Sequence, residues 1–448
     1  MVRSNSPEMV IAARPRSRTF PPVTTPPTQL RRTIRLPSAV ALYCGAVLGS
    51  GILALPAVAA ETAGPASVIA WAALCILSFP LALTFGALAR RHPVAGGFAA
   101  YIERGLGRRW GMIAGWIFLA QMPTGTAIAG LIAGSYLAAP LGLGRDGVFV
   151  IAGVVIVLAY GLNLFGLRLA GAVQAVATAG VLVLVGVIVA AAASDVRAAA
   201  FQPFAPDGWP AVGVAATQLF WAFVGWEAIT PLAEEFADPE RDVARASVIS
   251  VVVVAVVYLA LAVVTIGTRA YGPAAGALPS FAHMAGRTFG AHAILVVGVA
   301  GGVLAFTPLN AYVAGMSRLA YAMARSGDLP GWAARLHPAT QVPHRILLVL
   351  GAACLAALGV AYVADLGIAE LLPISTSSFL ATYVLSMTAA VRLLDGGARV
   401  LAVISLVACV AVLAFAGALA LWLVGVAAVA LAYGAWTARA GQSPSWRR

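Results

Sequence analysis

A chain of 448 residues would ordinarily make about three soluble domains, but composition excludes that. Hydrophobic residues reach 61%, charged residues only 10%, and mean hydropathy is +0.94, whereas soluble domains carry about 25% charged residues. The formal charge of +12 comes entirely from arginine, since the chain has no lysine. That rules out a Walker A lysine, a Schiff base and any lysine nucleophile, so neither ATP nor another cofactor is expected.

In chain order, residues 1–37 are rich in Pro, Ser, Thr and Arg without apolar periodicity, and read as a disordered cytoplasmic tail. Arg31-Arg32 before an apolar run, with Ala57-Val58-Ala59 after it, mimics a cleavable signal. Cleavage would leave an odd number of spans and put the arginine-rich loops on the wrong side. The apolar runs are 38–62, 66–89, 111–138, 148–166, 171–193, 212–236, 247–268, 288–312, 346–363, 369–391 and 400–436. The last would be about 55 Å long as one helix, nearly twice a hydrocarbon core of about 30 Å, so it reads as two helices broken at Gly417. The expected fold is an all-α polytopic membrane protein of about twelve spans. With the N-terminus inside, 24 arginines fall on the cytoplasmic side, against Arg145, Arg197, Arg269 and Arg287 outside. This obeys the positive-inside rule and puts both termini, including 438–448, in the cytoplasm.

The four cysteines, Cys44, Cys75, Cys354 and Cys409, lie in apolar runs without C-x-x-C spacing, and read as core residues rather than disulfide or zinc ligands. No metal site is expected. The histidines fall in loops or at a span edge, and no G-x-S-x-G occurs, which argues against an intramembrane hydrolase.

Two spans look interrupted. The first carries Gly49-Ser50-Gly51 at mid-depth with Pro56 beyond. Glycine costs about 1 kcal/mol in a helix, and unwinding would expose N–H groups able to hold a carboxylate. Equally, Gly45-x-x-x-Gly49 is compatible with a helix-packing face. The sixth span, Phe220-Trp221-Ala222-Phe223-Val224-Gly225-Trp226-Glu227, buries a glycine and an acid among aromatics. Glu227 faces a cavity or ties up unwound backbone. Spans one and six each open a group of five, giving a 5+5 inverted repeat of 38–193 and 210–391, followed by 400–437 as helices 11 and 12. Broken helices in matching positions point to a secondary-transporter site.

Gly49-Ser50-Gly51-Ile52 with Leu55-Pro56 resembles the first-helix motif of the amino acid–polyamine–organocation (APC) permeases. Phe223 to Glu227 with 234–241, Pro93 to Gly97, and 317–330 resemble other segments of the same family, in order. Within it, the look is that of bacterial exporters of methionine and branched-chain amino acids. The resemblance implies a LeuT-like fold in the cytoplasmic membrane. It implies that Gly49, Ser50 and Gly51, with Ile52 beside them, hold a substrate carboxylate, and that carbonyls near Ala46, Phe220 and Phe223 take the ammonium. Trp221 and Tyr312 correspond to aromatic positions over the substrate, Gly225 to the sixth-helix break, and Met122 and Thr126 in helix three are further candidates. Glu227 is the expected coupling or gating residue. The chain departs from some proton-coupled relatives at helix five, which offers Gln174 and Thr178 instead of lysine.

An apolar cavity with one acid and no base suits a neutral, apolar amino acid. Helix eight has Thr307 and Ser317 but no adjacent hydroxyl pair suited to sodium, which tilts the coupling ion to protons. The expectation is proton-coupled export by alternating access; uptake or exchange on the same fold, and a non-transporting nutrient sensor, are the alternatives. Trp71, Trp110 and Trp332 read as interfacial anchors.

Overall fold

The computed structural model describes residues 35–92, 97–166, 171–227, 236, 238–275 and 278–439. Both tails, residues 93–96, 234, 235 and 237 of two of the motifs, and the side chains of Gln174 and Thr178 lie outside the described residues. The described residues are almost all helical, in sixteen α-helices and several short 3-10 turns.

The first apolar run forms two helices, α1 (Leu36–Val47) and α2 (Gly51–Ala63), followed by α3 (Ser67–Arg91). A short amphipathic α4 (Gly97–Leu106) precedes α5 (Arg108–Ala120) and α6 (Met122–Ala138). Gln121 alone separates these two and is itself helical, so they run on as one rod with Pro123 at the start of its second half. Then come α7 (Arg145–Leu164), α8 (Gly171–Ala192), α9 (Trp209–Leu219) and α10 (Pro239–Gly267). Asp238 caps α10 by accepting from Arg241 N.

A second amphipathic helix, α11 (Ser280–Phe289), leads into α12 (Ala291–Arg325). At 35 residues α12 is about 52 Å long, well past the expected end at Tyr312. The bundle is completed by α13 (His344–Val363), α14 (Ile368–Leu393), α15 (Gly396–Ala414) and α16 (Leu421–Arg439). The break between the last two falls at Gly417, whose φ of +58° a side chain would resist.

Among the described residues, eight helical stretches are long and apolar enough to cross a membrane, and three apolar helices are shorter. One of the shorter three, Leu36–Val47, is a piece of the interrupted first run. This is a multi-pass membrane protein. Val150, Val363 and Val407 point outward, as suits a surface solvated by lipid.

Charged ties cluster at the ends of the bundle. Arg90 of α3 meets Glu240 at 3.0 Å, Arg91 pairs with Asp395, and Arg108 meets Asp328 at 2.8 Å. The Arg91 guanidinium beside it holds the Asp395 carboxyl below the usual carboxylate range. At the other end Arg145 meets Asp365 at 3.1 Å, and Glu61 accepts from Gly272 N at 2.9 Å. One expected anchor is not interfacial. Trp71 is fully buried, its ring 4.9 Å from Tyr258 and 5.8 Å from Phe223, because α3 packs broadly against α10 and turns this face inward. Trp110 and Trp332 are exposed.

Candidate functional site

The first break is a tight turn. Leu48 (φ −77°, ψ +61°) sits at the centre of an inverse γ-turn closed by Gly49 N donating to Val47 O at 2.8 Å. The Gly49 N–H is therefore turned back on its own chain. The bonds of the next turn start at Ile52, to Gly49 O, and Leu53, to Ser50 O. The Ser50 and Gly51 N–H groups thus head α2, where the helix dipole favours negative charge. A Cβ at Gly45 or Gly49 would have nothing within 4 Å, so no neighbouring helix uses these glycines for close approach. Both line an open cavity instead.

The second break follows α9. A single 3-10 turn, Phe220–Phe223, leads to extended backbone at Val224 and to Gly225 at φ +134°. The two breaks touch backbone to backbone. A Cβ on Gly225 would lie 2.9 Å from Ala46 O, and one on Gly51 would lie 3.2 Å from Ala222 Cβ. Only glycine permits this approach at Gly225, on steric and conformational grounds alike.

Unwinding leaves carbonyls without helical partners, and buried ones need donors. Tyr258 of α10, fully buried, supplies one: its hydroxyl lies 2.9 Å from both Val47 O and Ala222 O, directed at each side of the junction. Tyr383 of α14 serves the other end. It donates to Glu227 Oε2, and its oxygen accepts from Gly225 N at 3.2 Å. Gly225 N also donates to Glu227 Oε2 at 3.0 Å. Glu227 thus ties up the unwound backbone and also borders the cavity. Thr62 of α2 adds a further link, donating to Gln218 Oε1 of α9 at 2.9 Å.

The cavity between these segments measures about 360 Å³, within the range of about 300–1,000 Å³ typical of small-molecule sites. One wall is the two breaks. The facing wall is Phe118, Gln121 and Gly125 from α5 and α6, Tyr312 beside Pro308 on α12, and Phe379 on α14. Phe118 sits at the centre of an aromatic cluster, with ring centroids 5.6 Å from Phe379 and 6.2 Å from Tyr312. Among the described residues that border the cavity there is no Arg or His, and Glu227 is the one carboxylate.

Of the residues singled out by sequence, Ala46, Gly49, Ser50, Gly51, Trp221, Gly225, Tyr312 and Glu227 come together on this cavity. Ile52, Phe220, Phe223, Met122 and Thr126 are fully buried behind it. Phe220 packs edge-on against Tyr383 at 5.3 Å, and Phe223 against Tyr258 at 5.1 Å. Met122 accepts a long bond from the Tyr160 hydroxyl, 3.7 Å from its sulfur. The helix-three pair is out by one residue. Positions 121 and 125 face the cavity, and a step to 122 and 126 turns the side chains by about 100°, toward α7 and α13. The signal that would have found Gln121 is an uncharged polar side chain at mid-depth directly ahead of Met122-Pro123. Nothing local marks Tyr258 or Tyr383, which reach the breaks from other helices.

The family profile described as amino acid permease matches residues 34–429, which takes in both breaks and the facing wall. The chain belongs to the amino acid permease family of the APC superfamily. Members of this family are transporters, not enzymes. The chain is 34% identical over 393 residues to YecA, an uncharacterized amino acid permease of Bacillus subtilis, covering 87% of this chain and 92% of the relative. It is 31% identical over 390 residues to YjeH, the L-methionine/branched-chain amino acid exporter of Escherichia coli, with the same coverage of each. The branched-chain amino acid permease BcaP of Bacillus subtilis is 26% identical over 68% of this chain and 69% of its own.

Proposed function

We propose that this permease is a secondary active transporter of neutral, apolar amino acids of the methionine, leucine, isoleucine and valine type. It works by alternating access, outward across a bacterial cytoplasmic membrane, with both termini inside. The reading includes twelve spans, with 38–193 and 210–391 as inverted five-helix repeats and 400–437 as the last two helices. The observation that carries it is the cavity itself: two helix breaks meet on one wall, aromatic rings dominate the other, and Glu227, the one carboxylate among the described lining residues, is already engaged by Gly225 N and Tyr383.

The chemistry follows from that arrangement. A substrate carboxylate at the head of α2 meets the Ser50 and Gly51 N–H groups and the positive end of the helix dipole. The ammonium faces carbonyls freed by unwinding, such as Ala46 O. The side chain points to Phe118, Phe379 and Tyr312, with Trp221 beside it. An acidic side chain finds no counter-charge there, and its desolvation is uncompensated. A cationic one competes for a carboxylate that already has partners. Glu227, as the ionisable group of the cavity, is the candidate for proton coupling. The Escherichia coli relative YjeH, an L-methionine/branched-chain amino acid exporter, supports the outward direction and the substrate class.

Counterflow in proteoliposomes tests this. Vesicles loaded with unlabelled methionine or leucine should accumulate the labelled amino acid, and an outward proton gradient should alter the rate. Absence of counterflow, or equal counterflow with arginine or glutamate, overturns the reading.

A further inference from the structure

Gln121 brings an unsatisfied donor to the cavity wall. The residue is fully buried and borders the cavity. Its Oε1 accepts from the Ser375 hydroxyl at 3.0 Å, while Nε2 has no hydrogen-bond partner among the described residues. Two neighbours fix the amide in this pose. Ser375, itself fully buried on α14, holds the carbonyl end. Gly125, one turn further on, leaves the space the amide fills: a Cβ there would lie 2.8 Å from Gln121 Oε1. A buried N–H without an acceptor is a standing cost. The side chains beside it on this wall, Phe118, Phe379 and Tyr312, are aromatic.

We propose that Gln121 determines specificity within the apolar class, by donating from Nε2 to an acceptor atom on the substrate's side chain, and that this acceptor is a thioether sulfur. A carboxamide would bring two protons of its own, and a hydroxyl one, to a wall that beside Gln121 is made of rings, with the Tyr312 phenol oxygen as the acceptor among them. A thioether accepts without donating and is polarisable enough to sit well against ring edges. A hydrocarbon side chain fills the same space and leaves Nε2 unpaired. The site therefore favours methionine over an aliphatic residue of equal length. This rests on the apolar-amino-acid reading above and sharpens it.

The test compares methionine with norleucine, which replaces the sulfur by a methylene at nearly constant shape, in competition binding to the full-length protein in detergent. Wild type should bind methionine about three- to tenfold more tightly. Gln121→Leu should bring that ratio close to one by weakening methionine while norleucine holds. Ser375→Ala, which releases the amide, should lower the ratio in a protein with Gln121 intact, and serves as the second variant if Gln121→Leu folds poorly. A wild-type ratio near one, or a ratio that survives Gln121→Leu, overturns the role of Gln121 and leaves the apolar-amino-acid reading standing. Failure of wild type to bind either amino acid takes both down.

Discussion

Three glycines at the breaks make different demands, and substituting them separates a binding surface from a structural joint. Gly49 borders the cavity, has no positive φ, and a Cβ there would meet nothing within 4 Å. Gly49→Val should therefore fold and extract like wild type while its methyl groups occupy substrate space. Overfilling a packed site costs about 1–3 kcal/mol, which is between roughly fivefold and a hundredfold in Kd. Gly225 is the opposite case. Its φ of +134° is one a side chain rarely adopts, and a Cβ would stand 2.9 Å from Ala46 O, backbone that has no rotamer to yield with. Strain of this kind costs about 1–3 kcal/mol before the contact is relieved, so Gly225→Ala should melt several degrees lower and extract poorly. Gly51 lies between them, with Ala222 Cβ at 3.2 Å. The assay pairs thermal unfolding in detergent with scintillation binding of labelled methionine or leucine. A Gly49→Val protein with wild-type affinity would refute the carboxylate site, and a Gly225→Ala protein with wild-type melting would refute the joint.

Tyr258→Phe removes the donor shared by Val47 O and Ala222 O; the expected loss is about 1–3 kcal/mol, read as a lower melting temperature with no change in ring packing. Glu227→Gln should preserve the fold, since an amide can still accept from Gly225 N and Tyr383, while transport changes its pH dependence; an unchanged profile from pH 5 to 8 would leave Glu227 a purely structural tie. For Asp395 the carboxyl is lowered in the folded protein by Arg91, so its contribution is complete above the unfolded value near 4 and is lost as pH falls through the lower folded value. The gap in melting between wild type and Asp395→Asn should therefore be constant from pH 5 to 8 and close as pH falls below about 4, and a gap that varies within the higher window would contradict the assignment.

The parts of the site that were legible in sequence are those where local chemistry forces the backbone. Gly49-Ser50-Gly51 and Gly225 break helices for reasons internal to the segment, and Gly417 does the same between α15 and α16. Helix phase was less legible. Uniformly apolar stretches carry almost no periodicity, so nothing in the order Gln121-Met122 says which residue faces inward, and 121/125 lines the cavity in place of the expected 122/126. Trp71 was misread for a related reason, since an indole serves an interface and a core equally well until its neighbours are known. Tyr258 and Tyr383 were out of reach altogether. Their roles come from hydrogen bonds across 36 and 156 residues of chain, which only the packed bundle creates.

Tyr258 has a single hydroxyl hydrogen and two carbonyls equally near it. Val47 O is also served by Gly49 N, so it keeps a partner whenever the phenol turns to Ala222 O. The phenol therefore behaves as a swivel. If the end of α1 shifts relative to the 3-10 turn, the hydrogen can pass from one oxygen to the other, and neither position leaves the hydroxyl without an acceptor. The two positions are not equal: with the hydrogen on Ala222 O both carbonyls are paired, whereas turning it to Val47 O takes this donor from Ala222 O, so the joint is best satisfied with the phenol turned toward the 3-10 turn.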